Sequence, residues 1–179
     1  MQNLTSADFA NTGLLPADSG TPATTLQLIN GEQLADFTNN LSATDQQWLK
    51  RQSFKAKAGQ VAWLENGDGV LGRAEGDSLA TLGHLPYTLP EGVYRLKEST
   101  TFIALLGWGL GSYAFNRYRA AEREPAQLIL PDSADAAELI NTVAATYLTR
   151  DLINTPAQDM APSHLQAEVE ALARTFEAT

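Results

Sequence analysis

The chain has 179 residues, 44% of them hydrophobic and 18% charged, and a formal net charge of −9. That length and composition suit one globular domain, or a domain with an appendage, and they exclude wholesale disorder. The absence of cysteine excludes disulfides, thiolate metal sites and a cysteine nucleophile.

The acidic balance argues against a nucleic-acid partner, which would call for a basic face. Residues 1–49 carry Asp8, Asp18, Glu32, Asp36 and Asp45 with no lysine or arginine. The local basic excess at Lys50, Arg51, Lys55 and Lys57 reads as a solvated helix end and loop. No basic segment followed by an apolar one opens the chain, so a signal peptide is not expected. The longest apolar run, Phe102 to Leu110, is too short to span a bilayer. No membrane partner is expected, and the cytoplasm is the expected compartment.

Residues 1–22 are rich in Ser, Thr, Ala, Asp, Gly and Pro and read as a flexible N-terminal arm. Thr24 to Ile29 reads as a strand. Leu34, Phe37 and Leu41 then share one helical face. A second helix starts after Ser42, with Asp45 three residues on and Trp48 and Leu49 as its buried residues. Gln60 to Glu65 and Val70 to Glu75 flank Asn66-Gly67-Asp68-Gly69, which predicts a β-hairpin. Asp77 can cap a short helix through Leu82. Pro86 and Pro90 make the next connection irregular, and Gly92 to Lys97 alternates as a strand.

Thr100 to Arg119 admits two readings. In one, Phe102 to Leu106 is a strand that leads into a Gly107-Trp108-Gly109-Leu110-Gly111 phosphate loop, but the dinucleotide fingerprint fails because Ser112 occupies its third glycine position. In the other, the whole segment is a helix capped by Ser99. Ile103, Leu106, Leu110, Tyr113 and Arg117/Tyr118 then share a face, and Gly107 and Gly111 allow another element close approach. Ala126 to Leu130 is a buried-type strand. A helix beginning at Asp132 or Ser133 carries Leu139, Ile140, Val143, Tyr147, Leu148 and Leu152 on one stripe as far as Asn154. Thr155-Pro156 ends it, because proline disfavours α geometry in the residue before it. Pro162 opens a last helix whose Leu165, Val169, Leu172 and Phe176 are spaced 4, 3 and 4 apart. Alternating strands and helices make an α/β domain.

Candidate chemistry is sparse. His84 and His164 lack metal-ligand spacing, the carboxylates do not cluster, and no nucleophile is paired with a base. Ser112 lacks the G-x-S-x-G elbow of a hydrolase nucleophile. The sequence therefore names no catalytic, cofactor-binding or metal-ligating residue. The distinctive segment is the break itself: Arg150, Asp151, Asn154, Thr155, Pro156, Met160 and Pro162.

Arg150-Asp151-Leu152-Ile153-Asn154-Thr155-Pro156-Ala157, with Met160 and Pro162, resembles the R-D-L-x-N-T-P-x-x-x-M-x-P segment of the leucyl (cytosol) aminopeptidase family. Gly109 to Tyr118 resembles the G-x-x-S-Y-x-F-x-x-Y helix that precedes it in bacterial members. The resemblance covers about residues 100–175. It supports the helical reading of Gly107 to Gly111. It also implies a two-domain enzyme, with an α/β N-terminal domain joined by a long helix to a catalytic domain. That second domain holds two divalent metal ions (zinc or manganese) on Lys, Asp and Glu ligands and carries an N-T-D-A-E-G-R segment. No position of this chain matches those motifs.

The resemblance thus implies a mixed sheet flanked by helices, macro-domain-like, with a C-terminal linker helix. The expected divisions are a flexible arm at 1–22, an α/β domain at 23–154, and a junction and linker helix at 155–179 that lead toward a catalytic domain absent from this chain. The implied partners are that catalytic domain of the same polypeptide and, for the full-length protein, further copies in a hexamer. The implied role is packing, oligomerisation and control of access to a distant active site. The alternative is a stand-alone macro-like module that binds a nucleotide-type ligand or a protein partner. DNA binding, known in some members of the family, conflicts with the net charge of −9.

Overall fold

The protein is described from a computed structural model at residues 8–73, 76, 78–132 and 134–178. Strands β1 (Leu14–Leu15), β2 (Thr24–Ile29), β3 (Val61–Trp63), β4 (Gly69–Gly72), β5 (Val93–Leu96) and β6 (Gln127–Ile129) form one sheet in the order β1-β6-β5-β2-β4-β3. All neighbours are parallel except β3 and β4. That pair is antiparallel because the Asn66–Asp68 turn joins them directly. Asn66 Oδ1 accepts from the Asp68 amide at 3.0 Å, and its Nδ2 donates to Asp68 Oδ2 at 2.7 Å.

Helices α1 (Leu34–Asn39) and α2 (Ala43–Arg51) cover one face of the sheet. Their core is Ile29, Leu49, Phe54, Ala62 and Val70, with Phe37 and Leu41 packed against it. Ser42 caps α2, accepting from the Asp45 amide at 3.0 Å as its sequence position predicts. Leu49 is buried, but Trp48 is 40% exposed. Adjacent helical residues point about 100° apart, so only one of this pair can face the sheet.

The other face carries α3 (Ala80–Gly83), α4 (Leu85–Thr88), α5 (Phe102–Gly111) and α6 (Ala136–Asn154) over the larger core. α7 (Pro162–Thr175) follows the break after α6. The expected mixed sheet flanked by helices, with a helix at its C-terminal end, is the observed architecture.

Several local expectations are corrected. Residues 8–22 are not a loose arm throughout. Leu14–Leu15 pairs with β6, the Leu128 amide donates to Gly13 O at 2.9 Å, and Phe9 and Leu14 are buried. A two-residue strand is too short to show periodicity, so its polar surroundings hid it. The connection around Pro86 contains α4, with the proline in the first helical turn where its missing amide costs nothing. The cap of α6 is Asp135, which accepts from the Glu138 amide at 3.0 Å, rather than Asp132. Ser133 and Asp77 lie outside the described residues.

The largest correction concerns α5. It is a helix, so the phosphate-loop reading fails, but it ends at Gly111 and not at Arg119. Its cap is Thr101, whose Oγ1 accepts from the Ala104 amide at 3.3 Å, and not Ser99. Its buried side is Ala104, Leu105 and Trp108, while Ile103 is 43% exposed. Of the expected stripe, Leu106 and Leu110 do pack against the core, while the close approach of another element falls at Gly107 and Gly111 as the sequence suggests. A Cβ on Gly107 would lie 2.1 Å from Leu79 O, and one on Gly111 would lie 1.9 Å from Gly83 O. α3 therefore rests directly on the backbone of α5.

Gly107→Ala and Gly111→Ala force these backbones apart. Each is expected to destabilise the chain by about 1–3 kcal/mol, the range for overpacking. Gly31→Ala, whose Cβ meets nothing within 4 Å, is the control and stays near neutral. Urea unfolding midpoints measure all three.

Candidate functional site

The break between α6 and α7 is the site singled out by the sequence, and the structure shows what holds it. After Gly111 the chain leaves α5 and runs alongside the end of α6. Tyr147, on the last half-buried part of the α6 stripe, donates its hydroxyl to Gly109 O at 2.5 Å. One turn on, Arg150 Nη1 donates to Leu110 O at 2.7 Å, and its guanidinium lies 5.2 Å from the Tyr113 ring centre. Arg150 thereby satisfies a carbonyl that the end of α5 would leave open.

The Tyr113 hydroxyl donates to Asp151 Oδ1 at 2.7 Å and accepts from Asn154 Nδ2 at 3.0 Å. Its ring packs edge-on against Tyr147, with centroids 5.0 Å apart. Thr155 is 6% exposed, and its Oγ1 donates back to Asp151 O at 2.7 Å. Arg117 Nη1 reaches the same Oγ1 at 3.4 Å. Pro156 stops the helix, and its carbonyl accepts from the Asp159 amide at 2.9 Å in the turn that follows. Tyr118 donates to Asp159 Oδ2 at 2.5 Å.

The structure thus brings Arg150, Asp151, Asn154 and Thr155 together against residues 110–117. Met160 is half-buried, and Pro162 opens α7. His164, read from sequence as a solvent-facing residue, is exposed and also caps this helix, its Nδ1 accepting from the Ala161 amide at 3.0 Å. Tyr113 and Tyr118 belong to the second resembling segment and Tyr147 to the α6 stripe, but none of them, nor Arg117 or Asp159, is placed at the break by the sequence. No local pattern reveals these contacts, because each joins partners about 40 positions apart.

These groups hold one another through hydrogen bonds and ring contacts. Burial pushes the Tyr147 hydroxyl far above its usual titration range, against the opposing pull of the Arg150 cation. Tyr113 is raised by desolvation and by its bond to Asp151. A phenol held in its neutral form keeps its proton to donate to its partner. Among the described residues, no His, Cys, Asp or Glu side chains gather in a group of three or more that could hold a metal ion.

A cavity of about 890 Å³ lies elsewhere, between α1 and the sheet beside the ends of β2, β4 and β5. The chain leaves β2 for one face of the sheet and leaves the adjacent β5 for the other. This is the switch point where open α/β sheets often bind ligands. Four carboxylates, Asp36, Asp45, Asp68 and Glu98, line it against the cations Arg73 and Lys97. That balance opposes a pyrophosphate and gives the nucleotide-ligand alternative no support. No described helix is long and apolar enough to cross a membrane.

Comparison with known proteins agrees with this geometry. The family model described as "M17 aminopeptidase, N-terminal domain" matches residues 24–131. A crystal structure of cytosol aminopeptidase from Coxiella burnetii superposes with a TM-score of 0.83 at 32% sequence identity, over 92% of this chain. The chain spans 38% of that protein's length. No curated protein sequence matches it significantly.

The tyrosine clamp makes a pH prediction. A phenol whose folded pKa is raised stabilises the fold below its unfolded pKa, and that contribution is lost as pH rises. Stability should therefore fall from about pH 10, the ordinary tyrosine value, upward. Tyr147→Phe should flatten this alkaline loss, as read from urea midpoints between neutral pH and pH 11.

Proposed function

Because the chain belongs to the M17 aminopeptidase family through its N-terminal domain, we propose that it is the non-catalytic part of a metal-dependent exopeptidase that removes N-terminal amino acids from peptides. Its work is packing, oligomer contacts and control of access to an active site carried by other residues. The two divalent metal ions of that site, zinc or manganese, belong to a catalytic domain of the same polypeptide. The full assembly is a homo-oligomer, a hexamer by resemblance, in the cytoplasm.

The observation that carries this reading is the face of α7. Leu165, Val169, Leu172 and Phe176 form one stripe and are 47%, 57%, 40% and 70% exposed. Fully burying a large apolar side chain is worth about 1.5–3 kcal/mol. Such a stripe beyond a clamped break is what a helix leading into a second domain presents. Its exposure also supports placing the junction at 155–179, outside the core of the α/β domain.

The purified 179-residue chain, supplied with manganese or zinc, is expected to release no leucine from leucyl peptides. The same residues continued into a Lys- and carboxylate-rich domain should release it. Metal-dependent turnover by the 179 residues alone overturns the proposal. Val169→Asp should leave the stability of the isolated chain within about 0.5 kcal/mol, as for an ordinary surface change, and should impair assembly of the longer protein.

A further inference from the structure

We infer that residues 113–118 act as a splint that presets the direction of α7, so that the break is a rigid elbow before anything docks on that helix. The inference concerns this chain alone and stands whether or not the aminopeptidase reading does.

A break between helices has no hydrogen-bond ladder of its own to hold the two helices at a fixed angle, and Pro156, which lacks an N–H, ends the ladder of α6 here. Here the break is bridged from outside. Three anchors in one short segment land on three successive levels of it. Tyr113 holds Asp151 and Asn154 in the last turn of α6. Arg117 holds Thr155 at the break. Tyr118 holds Asp159 in the turn beyond. The anchors also brace one another: Arg117 lies 5.7 Å from the Tyr118 ring centre, and Phe115 packs edge-on against that ring at 5.8 Å.

The splint is itself fixed to the domain. Its start is tied to α5 and α6 through Ser112 Oγ, which donates to Trp108 O at 3.0 Å, and through the Arg150 bond to Leu110 O. The Tyr87 hydroxyl donates to Ser112 O at 3.3 Å from the side of α4. An unbraced hinge would need none of these contacts. Tyr118 is 52% exposed, so its bond to Asp159 does not serve core packing. It joins the splint to the turn on the α7 side of the break.

The absence of native cysteine permits a direct test. Spin labels at Ala145→Cys on α6 and Glu168→Cys on α7, both exposed positions, report the elbow by electron–electron double resonance. The unsubstituted splint should give a single narrow distance distribution. Tyr118→Phe should broaden it, and Tyr113→Phe with Tyr118→Phe should broaden it at least two-fold. The urea midpoint of Tyr118→Phe should stay where it was, because only an exposed hydroxyl is removed. A merely structural role would move the midpoint and leave the width alone. A distribution that is broad in the unsubstituted splint, or unchanged by the double substitution, overturns the inference.

Discussion

The contact between the backbones of α3 and α5 fixes the rest of the domain. Gly107 and Gly111 stand one turn apart on the side of α5 that meets Leu79 and Gly83. With no side chains between them, the two helices approach to backbone distance. That approach sets the rotation of α5 and with it the aim of everything else the helix carries. Trp108 is driven into the core, where its Nε1 donates to Gly13 O at 2.9 Å and anchors the start of β1. Gly109 turns toward α6, where a Cβ would lie 2.6 Å from a methyl of Val143. One helix thus touches α3 through two glycines, α6 through a third and the sheet edge through a tryptophan. Glycine costs about 1 kcal/mol per helical position relative to alanine. The dispersion contacts of three close approaches offset that cost.

The same rotation organises the break. With α5 ending at Gly111, its last carbonyls face the end of α6, and Tyr147 and Arg150 use them as acceptors. If the helix ran on to Arg119, Tyr113 and Tyr118 would project from its surface and could not lie along residues 151–159. Early termination of α5 is therefore a condition for the clamp. The segments Gly109–Tyr118 and Arg150–Pro162, which the sequence presents as separate motifs, are two sides of one contact.

Legibility followed the range of the interaction. Elements shaped by near neighbours could be read. β2, the hairpin of β3 and β4, the Ser42 cap and the Leu139–Ile140–Val143 stripe all lie where local rules put them. Elements shaped by distant partners could not. β1 exists because β6 offers it an edge, and Trp48 is exposed because the sheet lies on the Leu49 side of α2. The glycine contact of α5 was legible, but its fully buried side was not, since Ala104, Leu105 and Trp108 rather than Ile103 turn inward to partners far along the chain. At the site, the break was plain from Thr155-Pro156, whereas its clamp was not, since phenols and carboxylates far apart in sequence leave no spacing to detect. The family resemblance pointed to both segments without saying that they touch.

The pairing of Leu14 with Leu128 bears on how the chain is made. A ribosome delivers β1 first and its partner β6 only after every other strand has emerged. Until then Leu14, buried in the finished domain, lacks the strand that pairs with it. The central strands β2, β4 and β5 can assemble earlier, because their partners emerge sooner. Folding of the newborn domain therefore closes at the edge, with β1 among the last strands to pair, and that interval is when a chaperone or an aggregating neighbour would find it.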